Sequence, residues 1–192
     1  MGPKALKRKA PDTNEMPADA KLPGPEHAGG PSASPPSEIT SFRGDYNFLS
    51  NFFHSPIVYD GLEFPTVEHA FQAAKCLDQA SKLKLLNCNS PTIAKRVGRK
   101  VSLRPDWERV KMDIMHDILA LKFAPNSQLG NLLLATGNAE LIEGNAWHDN
   151  VWGSCVCPKH KNSPGQNKLG KLIMGVRDEL RSGEKPSSAS NV

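Results

Sequence analysis

Apolar and polar positions divide the chain into periodic segments. The run Pro56–Phe64 pairs β-branched and aromatic residues around Asp60-Gly61, which predicts a β-hairpin closed by a two-residue turn with positive φ angles. Pro65 and Thr66 open a stretch rich in Ala, Leu, Lys and Gln, so one helix is predicted over Val67–Leu86. Ser90, Pro91 and Gly98 mark the N-cap, first turn and exit of a short helix. A longer helix over Pro105–Phe123 carries the stripe Trp107, Val110, Ile114, Ile118 and Leu121, and Pro125 stops it. Another helix covers Ser127–Ala135, closed by Gly137. Leu141-Ile142-Glu143 suits a short strand, and Gly144–Gln166 shows no period and reads as a long loop. The last helix runs over Lys168–Arg181, with Gly183 beyond it. The expected fold is mainly α: one compact helical domain with a small hairpin. A loop of that length inside a compact domain is often functional.

Composition places the domain. Residues 1–38 hold almost no large apolar side chains and many Pro, Gly, Ala and Ser. They are therefore expected to form a disordered tail, followed by a folded domain over 39–182 and a second tail over 183–192. Five basic and five acidic residues make the first tail neutral, so the net charge of +4 belongs to the rest of the chain. Such a mild excess suits an anionic ligand but does not define one. The sequence has no apolar run long enough to span a membrane and no signal-peptide core, so an intracellular protein, cytoplasmic or nuclear, is expected. The cluster Lys4–Lys9 reads equally as a nuclear localisation signal or as a solvated basic end.

Four clusters carry candidate chemistry. On a helix, Glu68, Gln72 and Lys75 share a face at i, i+4 and i+7, and a polar ligand along it would meet a carboxylate, an amide and an amine. A solvated helix face accounts for the same spacing more simply. Trp147 and Trp152 either anchor the long loop or stack on a ring, and Asp149 between them is either a catalytic carboxylate or a loop cap. Gly165 and Asn167 precede the last helix, where backbone N–H groups can face a phosphate, although ordinary helix initiation explains them as well. Arg43 can hold a phosphate, and Ser50 and Asn51 can bond a ligand edge or form a turn. Cys155-Val156-Cys157 with His160 raises the question of zinc. The C-x-C spacing departs from the usual C-x₂₋₄-C and no fourth ligand stands out; His54, His69, His116 and His148 show no paired spacing, so no metal is expected.

Taken together these residues resemble the NADAR family. The matching segments are Leu49–Phe52, Asp60-Gly61, Pro65–Lys75, Ser90-Pro91, Ala94-Lys95, Gly98-Arg99, Leu103-Arg104, Asp106-Trp107, Lys111, Met115, Lys122-Phe123 and Leu132–Thr136. Asp149, Trp152-Gly153, Gly165, Asn167, Leu169-Gly170 and Arg177 complete the set. The resemblance implies an N-glycosidase that needs no cofactor, membrane or protein partner. Two substrate classes come with it: early riboflavin-pathway intermediates, and ADP-ribosylated guanine in nucleic acid or nucleosides, with ADP-ribose as product. A domain standing alone behind a tail favours the second. A non-catalytic module that binds ADP-ribose is a further alternative.

The resemblance also implies roles. Lys75 is the amine that attacks the anomeric carbon to give a ring-opened imine. Glu68 is the acid/base, Asp149 a second carboxylate, and Gln72 completes the polar stripe. Trp152 stacks on the base, and Arg43, Ser50, Asn51, Gly165 and Asn167 hold phosphate, ribose or ligand edge. At its ordinary pKa a lysine is protonated and cannot attack, so burial or a neighbouring cation must lower it. The insertion Ser154–Ser163 departs from the shorter, glycine-rich loop of YbiA-type members.

Overall fold

The computed structural model describes residues 36–160 and 162–183. The basic cluster Lys4–Lys9 and both predicted tails, apart from residues 36–38 and 183, lie outside the described residues. The domain is mainly helical, as expected. Its elements in chain order are β1 (Glu38–Ile39), a 3₁₀ segment (Gly44–Leu49), β2 (Ile57–Tyr59), β3 (Leu62–Phe64), α1 (Val67–Ala73), α2 (Gln79–Leu86) and α3 (Pro91–Gly98). They continue with α4 (Trp107–Lys122), α5 (Gln128–Ala135), β4 (Glu140–Leu141), β5 (Gly144–Asn145), β6 (Ser154–Cys155) and α6 (Lys168–Ser182).

The hairpin β2–β3 forms in the predicted place, with Ile57 opposite Phe64 and Tyr59 opposite Leu62. Asp60 and Gly61 take φ of 53° and 72°, which an Asp-Gly pair tolerates. Side-chain caps start four of the helices: Thr66 accepts from the His69 amide, Ser90 from Ile93, Ser127 from Gly130, and Asp78 from Ser81.

The helix predicted over Val67–Leu86 is two helices. Asp78 caps a new start by accepting from the Ser81 amide at 2.8 Å, and the chain turns through Ala74–Leu77 to reach it. Asp78 competes with a continuous helix because its short carboxylate bonds a nearby amide. The break leaves Lys75 in the connecting turn rather than on a third helical turn after Glu68. The face expected to be solvated is also not wet, since every residue of α1, Glu68 and Gln72 included, is buried. The helix sits at the centre, packed against α2, α3 and α4.

The stripe on α4 holds at Trp107, Ile114 and Ile118, but Leu121 is exposed and Met115 and Leu119 are buried in its place. The unperiodic stretch from Gly144 is not wholly irregular either. The parallel pairing of β5 with β6 closes its first part, and the parallel pairing of β1 with β4 fixes the chain just before it. The strand expected over Leu141–Glu143 is split, leaving Ile142 and Glu143 between β4 and β5. The core gathers Phe48, Leu49, Phe64, Phe71, Met115, Ile118, Leu133, Leu141 and Ile173 around α1 and α4.

Candidate active site

A cleft opens where α1 meets α3 and the long loop. It is lined by Ser50, Asn51, Phe52, Glu68, Phe71, Gln72, Lys95, Met115, Glu143, Asp149, Trp152 and Leu169. Six of the ten residues predicted for the site therefore converge: Glu68, Gln72, Asp149, Ser50, Asn51 and Trp152. A second hollow, lined by Tyr59, Asp60, Cys76, Lys82, Arg104 and Asp117 among others, holds none of them.

Glu68 is 4% exposed, and its Oε1 accepts from Gln72 Nε2 at 2.7 Å. Burial raises its pKa, while Lys95, the Gln72 bond, Lys75 and Arg99 pull it down. Gln72 can lie along Glu68 because α3 approaches through Gly98; a Cβ there would sit 2.7 Å from Gln72 Cδ. The Oε1 of Gln72 and Oδ1 of Asn51 are buried without a partner among the described residues. In a cleft, such orphaned acceptors suit a ligand's donors. The amide of Asn51 is otherwise held by Met115 Sδ at 3.6 Å.

Two charged cleft residues, Glu143 and Lys95, have no role in the sequence reading. Glu143 lies between β4 and β5, and its pKa is pushed up to about 7. Burial is the main cause; Lys95 opposes it, and Asp149 and Glu68 add to it. Lys95, on α3, faces both carboxyls and stands 5.6 Å from the centre of the Phe52 ring. Neither belongs to a local pattern: Glu68, Lys95 and Glu143 come together only through tertiary packing.

Asp149 takes the loop-cap reading and also faces the cleft. Its Oδ1 accepts from the amides of Val151 and Trp152, at 3.1 and 2.9 Å, so it caps the loop while lining the cleft. Trp152 meets Phe71 edge-on, with centroids 5.2 Å apart, and Phe71 also contacts Trp107. Ser50 accepts from the Phe52 amide through its hydroxyl, and its carbonyl accepts from Lys122 at 2.7 Å. Lys122 is a buried cation whose pKa burial lowers to about 7.

Four predicted residues lie outside the cleft lining. The Lys75 amine donates to the Gly98 carbonyl at 3.2 Å and stands 5.8 Å from the Trp107 ring centre, half-buried. Burial lowers its pKa; Glu68 opposes this, and Lys95 and Arg99 push it further down. Arg43 lies 5.7 Å from the centre of the Trp147 ring, and Trp147 is exposed rather than anchored. Gly165 is a packing glycine, since a Cβ there would stand 2.6 Å from Ser154 Cα. Asn167 is spent on structure. Its Nδ2 donates to the Leu141 carbonyl at 2.8 Å and its Oδ1 accepts from the Glu143 amide at 3.1 Å. It thereby ties α6 to the strand ends that carry Glu143.

Three carboxyls, a lysine and Trp152 thus face one cleft. The NADAR domain family matches residues 40–181, and the chain belongs to that family. It is 41% identical over 142 residues to the N-glycosidase YbiA of Escherichia coli, across 73% of this chain and 85% of that protein. An N-glycosidase of Nostoc punctiforme is 35% identical over 141 residues, covering 71% and 86%. A riboflavin biosynthesis protein of Vibrio vulnificus is 34% identical over 139 residues, covering 71% of this chain and 36% of that one. The NMR structure of E. coli YbiA superposes with a TM-score of 0.64 at 36% identity, over 80% of this chain and 88% of that one. Among the described residues no helix is long and apolar enough to cross a membrane.

Proposed function

We propose that this chain is an N-glycosidase that hydrolyses a ribosyl–base bond, with the anomeric carbon held in the cleft between Glu68, Glu143 and Lys95. The observation that carries the reading is the placement of two carboxyls of raised pKa, Glu68 buried and Glu143 partly buried, opposite Lys95 and beside Trp152. Cleavage needs a proton for the departing base and stabilisation of the sugar cation. A carboxyl with a pKa of about 7, as at Glu143, is partly protonated near neutrality and can give that proton. An ionised Glu68 can stabilise the positive charge that develops on the sugar.

The nucleophile we assign is Lys75. Its amine attacks the anomeric carbon as the base leaves with a proton; the ring then opens to an imine, and water releases the sugar and restores the amine. The lowered pKa of Lys75 supports this assignment. To reach the sugar, the amine must leave the Gly98 carbonyl. Borohydride reduction during turnover, followed by peptide mapping, tests the step. An adduct on Lys75 is expected, one on Lys95 would transfer the role to the cleft lysine, and none would remove the imine.

The substrate we assign is ADP-ribosylated guanine, with ADP-ribose released. The exposed Trp147, beside Arg43 and two residues along the loop from Asp149, offers a second ring and a cation to a ligand longer than a ribosyl phosphate. Riboflavin intermediates are the second reading, favoured by relatives named for riboflavin biosynthesis. Turnover of ADP-ribosylated guanosine and of the ribosylated pyrimidine intermediate, compared for the native chain and Trp147→Ala, separates the two. The ADP-ribose reading expects the variant to lose activity on the first. A native chain that turns over only the second would overturn it.

A further inference from the structure

We propose that His148, Cys155, Cys157 and His160 form a zinc site that fixes the shape of the loop carrying Asp149 and Trp152. The sequence offered three ligands at an unusual spacing and no fourth. The fold supplies the fourth from upstream, where His148 turns back onto the others.

The donor atoms of all four residues lie within 4.8 Å of one another. Cys157 Sγ stands 3.2 Å from His148 Nδ1 and 3.3 Å from His160 Nδ1, and the two nitrogens are 3.4 Å apart. With zinc bonds of about 2.3 Å to sulfur and 2.0–2.1 Å to nitrogen, a tetrahedron has edges of roughly 3.3 Å between nitrogens and 3.5 Å between nitrogen and sulfur. The observed separations fall near those edges. Two thiolates and two imidazoles also form the donor set that zinc prefers, with no position left for water, which marks a structural site rather than a catalytic one.

The convergence of the four side chains on one point favours a shared cation. Hydrogen bonds can link these atoms only in pairs, whereas one cation at their centre would bond all three together with Cys155. His148 also holds a φ of 69°, a left-handed conformation that a histidine adopts at a cost. That turn is what brings its ring, edge-on, to His160 with centroids 5.2 Å apart. Cys155 is buried, and its amide is held by Asn150 Oδ1 at 2.8 Å. All four cysteines are free thiols, so both sulfurs are available to a metal.

The position explains the benefit. Asp149 and Trp152 lie between the first ligand and the second, so a bound ion closes the segment that presents both to the cleft. The insertion Ser154–Ser163 supplies the three downstream ligands.

The test uses the full chain purified from zinc-supplemented culture under reducing conditions. Elemental analysis is expected to find about one zinc per chain, and Cys157→Ser and His148→Ala to fall to about a tenth of that, whereas Cys88→Ser stays at the native level. Replacing zinc with Co²⁺ should give the intense visible bands of a tetrahedral site with a thiolate-to-metal transition, and should quench the fluorescence of Trp147 next to His148. Both signals should vanish in His148→Ala, whose fold circular dichroism can check. Purified chain without zinc and without a tetrahedral cobalt spectrum would overturn the proposal, as would equal zinc in native and Cys157→Ser protein.

Discussion

Glu143→Gln should make the protein more stable above neutral pH while lowering its activity. Glu143 has a folded pKa of about 7 against an ordinary value of 4.5. Its folded pKa is the higher of the two, so between those values the folded state holds a proton that the unfolded state has lost. Stability therefore falls as pH rises through that window. A difference of about 2.5 units at 1.36 kcal/mol each corresponds to a cost of about 3 kcal/mol, fully present above pH 7 and small near pH 5. Glutamine keeps the shape and removes the charge. Thermal unfolding of native and variant protein at pH 5 and pH 8 measures the effect. The variant should gain little at pH 5 and roughly 6–12 °C at pH 8, taking about 2–4 °C per kcal/mol for a domain of this size. Turnover should fall by about 10²-fold or more through loss of the acid. Equal melting shifts at both pH values would refute the reasoning, because a packing effect does not follow the titration.

Lys122→Met should behave in the opposite sense. A buried lysine with a pKa lowered to about 7 costs stability while charged, and this cost fades as pH rises from 7 toward 10.5, so the variant's advantage in chemical denaturation should shrink over that range. Gly98→Ala should displace Gln72 from Glu68 and lower activity, with a stability cost of about 1–3 kcal/mol, read by urea unfolding and turnover. Asn167→Ala should cost about 2–3 kcal/mol, since it leaves the Leu141 carbonyl and the Glu143 amide without their partner and puts a Cβ-bearing residue without a polar side chain at positive φ. If instead stability is unchanged and only KM rises, Asn167 is a ligand contact and its structural assignment is wrong.

The local rules carried much of the fold. Asp60-Gly61 reported the hairpin because positive φ at both turn residues is a property of the dipeptide itself, and Thr66, Ser90 and Ser127 reported helix starts because capping needs only a few neighbouring residues. The break at Asp78 does not show in helix propensity, because the residues on both sides of it are good helix formers and a single Asp among them gives no periodic signal. On the site, Glu68 and Gln72 were legible as a pair from helical spacing, but their burial was not, since a polar stripe reads as solvent-facing without knowledge of what packs over it. Lys95 stood in a matching segment without a role and Glu143 gave no signal, because their place at the cleft arises between elements far apart in the sequence. The four-residue sulfur and nitrogen cluster shows the same limit, for His148 joins it through a backbone turn that spacing does not reveal.

One consequence follows from α1, the helix without an exposed face. Val67, Ala70 and Phe71 belong to the core and Glu68 and Gln72 to the cleft, so interior and reactive surface are the same seven residues. This half of the site cannot loosen by itself: on heating, damage to it should appear at the temperature where the whole domain melts. Asp149 and Trp152 are held instead by loop hydrogen bonds, by the contact with Phe71 and by the proposed ion, so any inactivation that precedes melting should be traceable to loss of that loop's order.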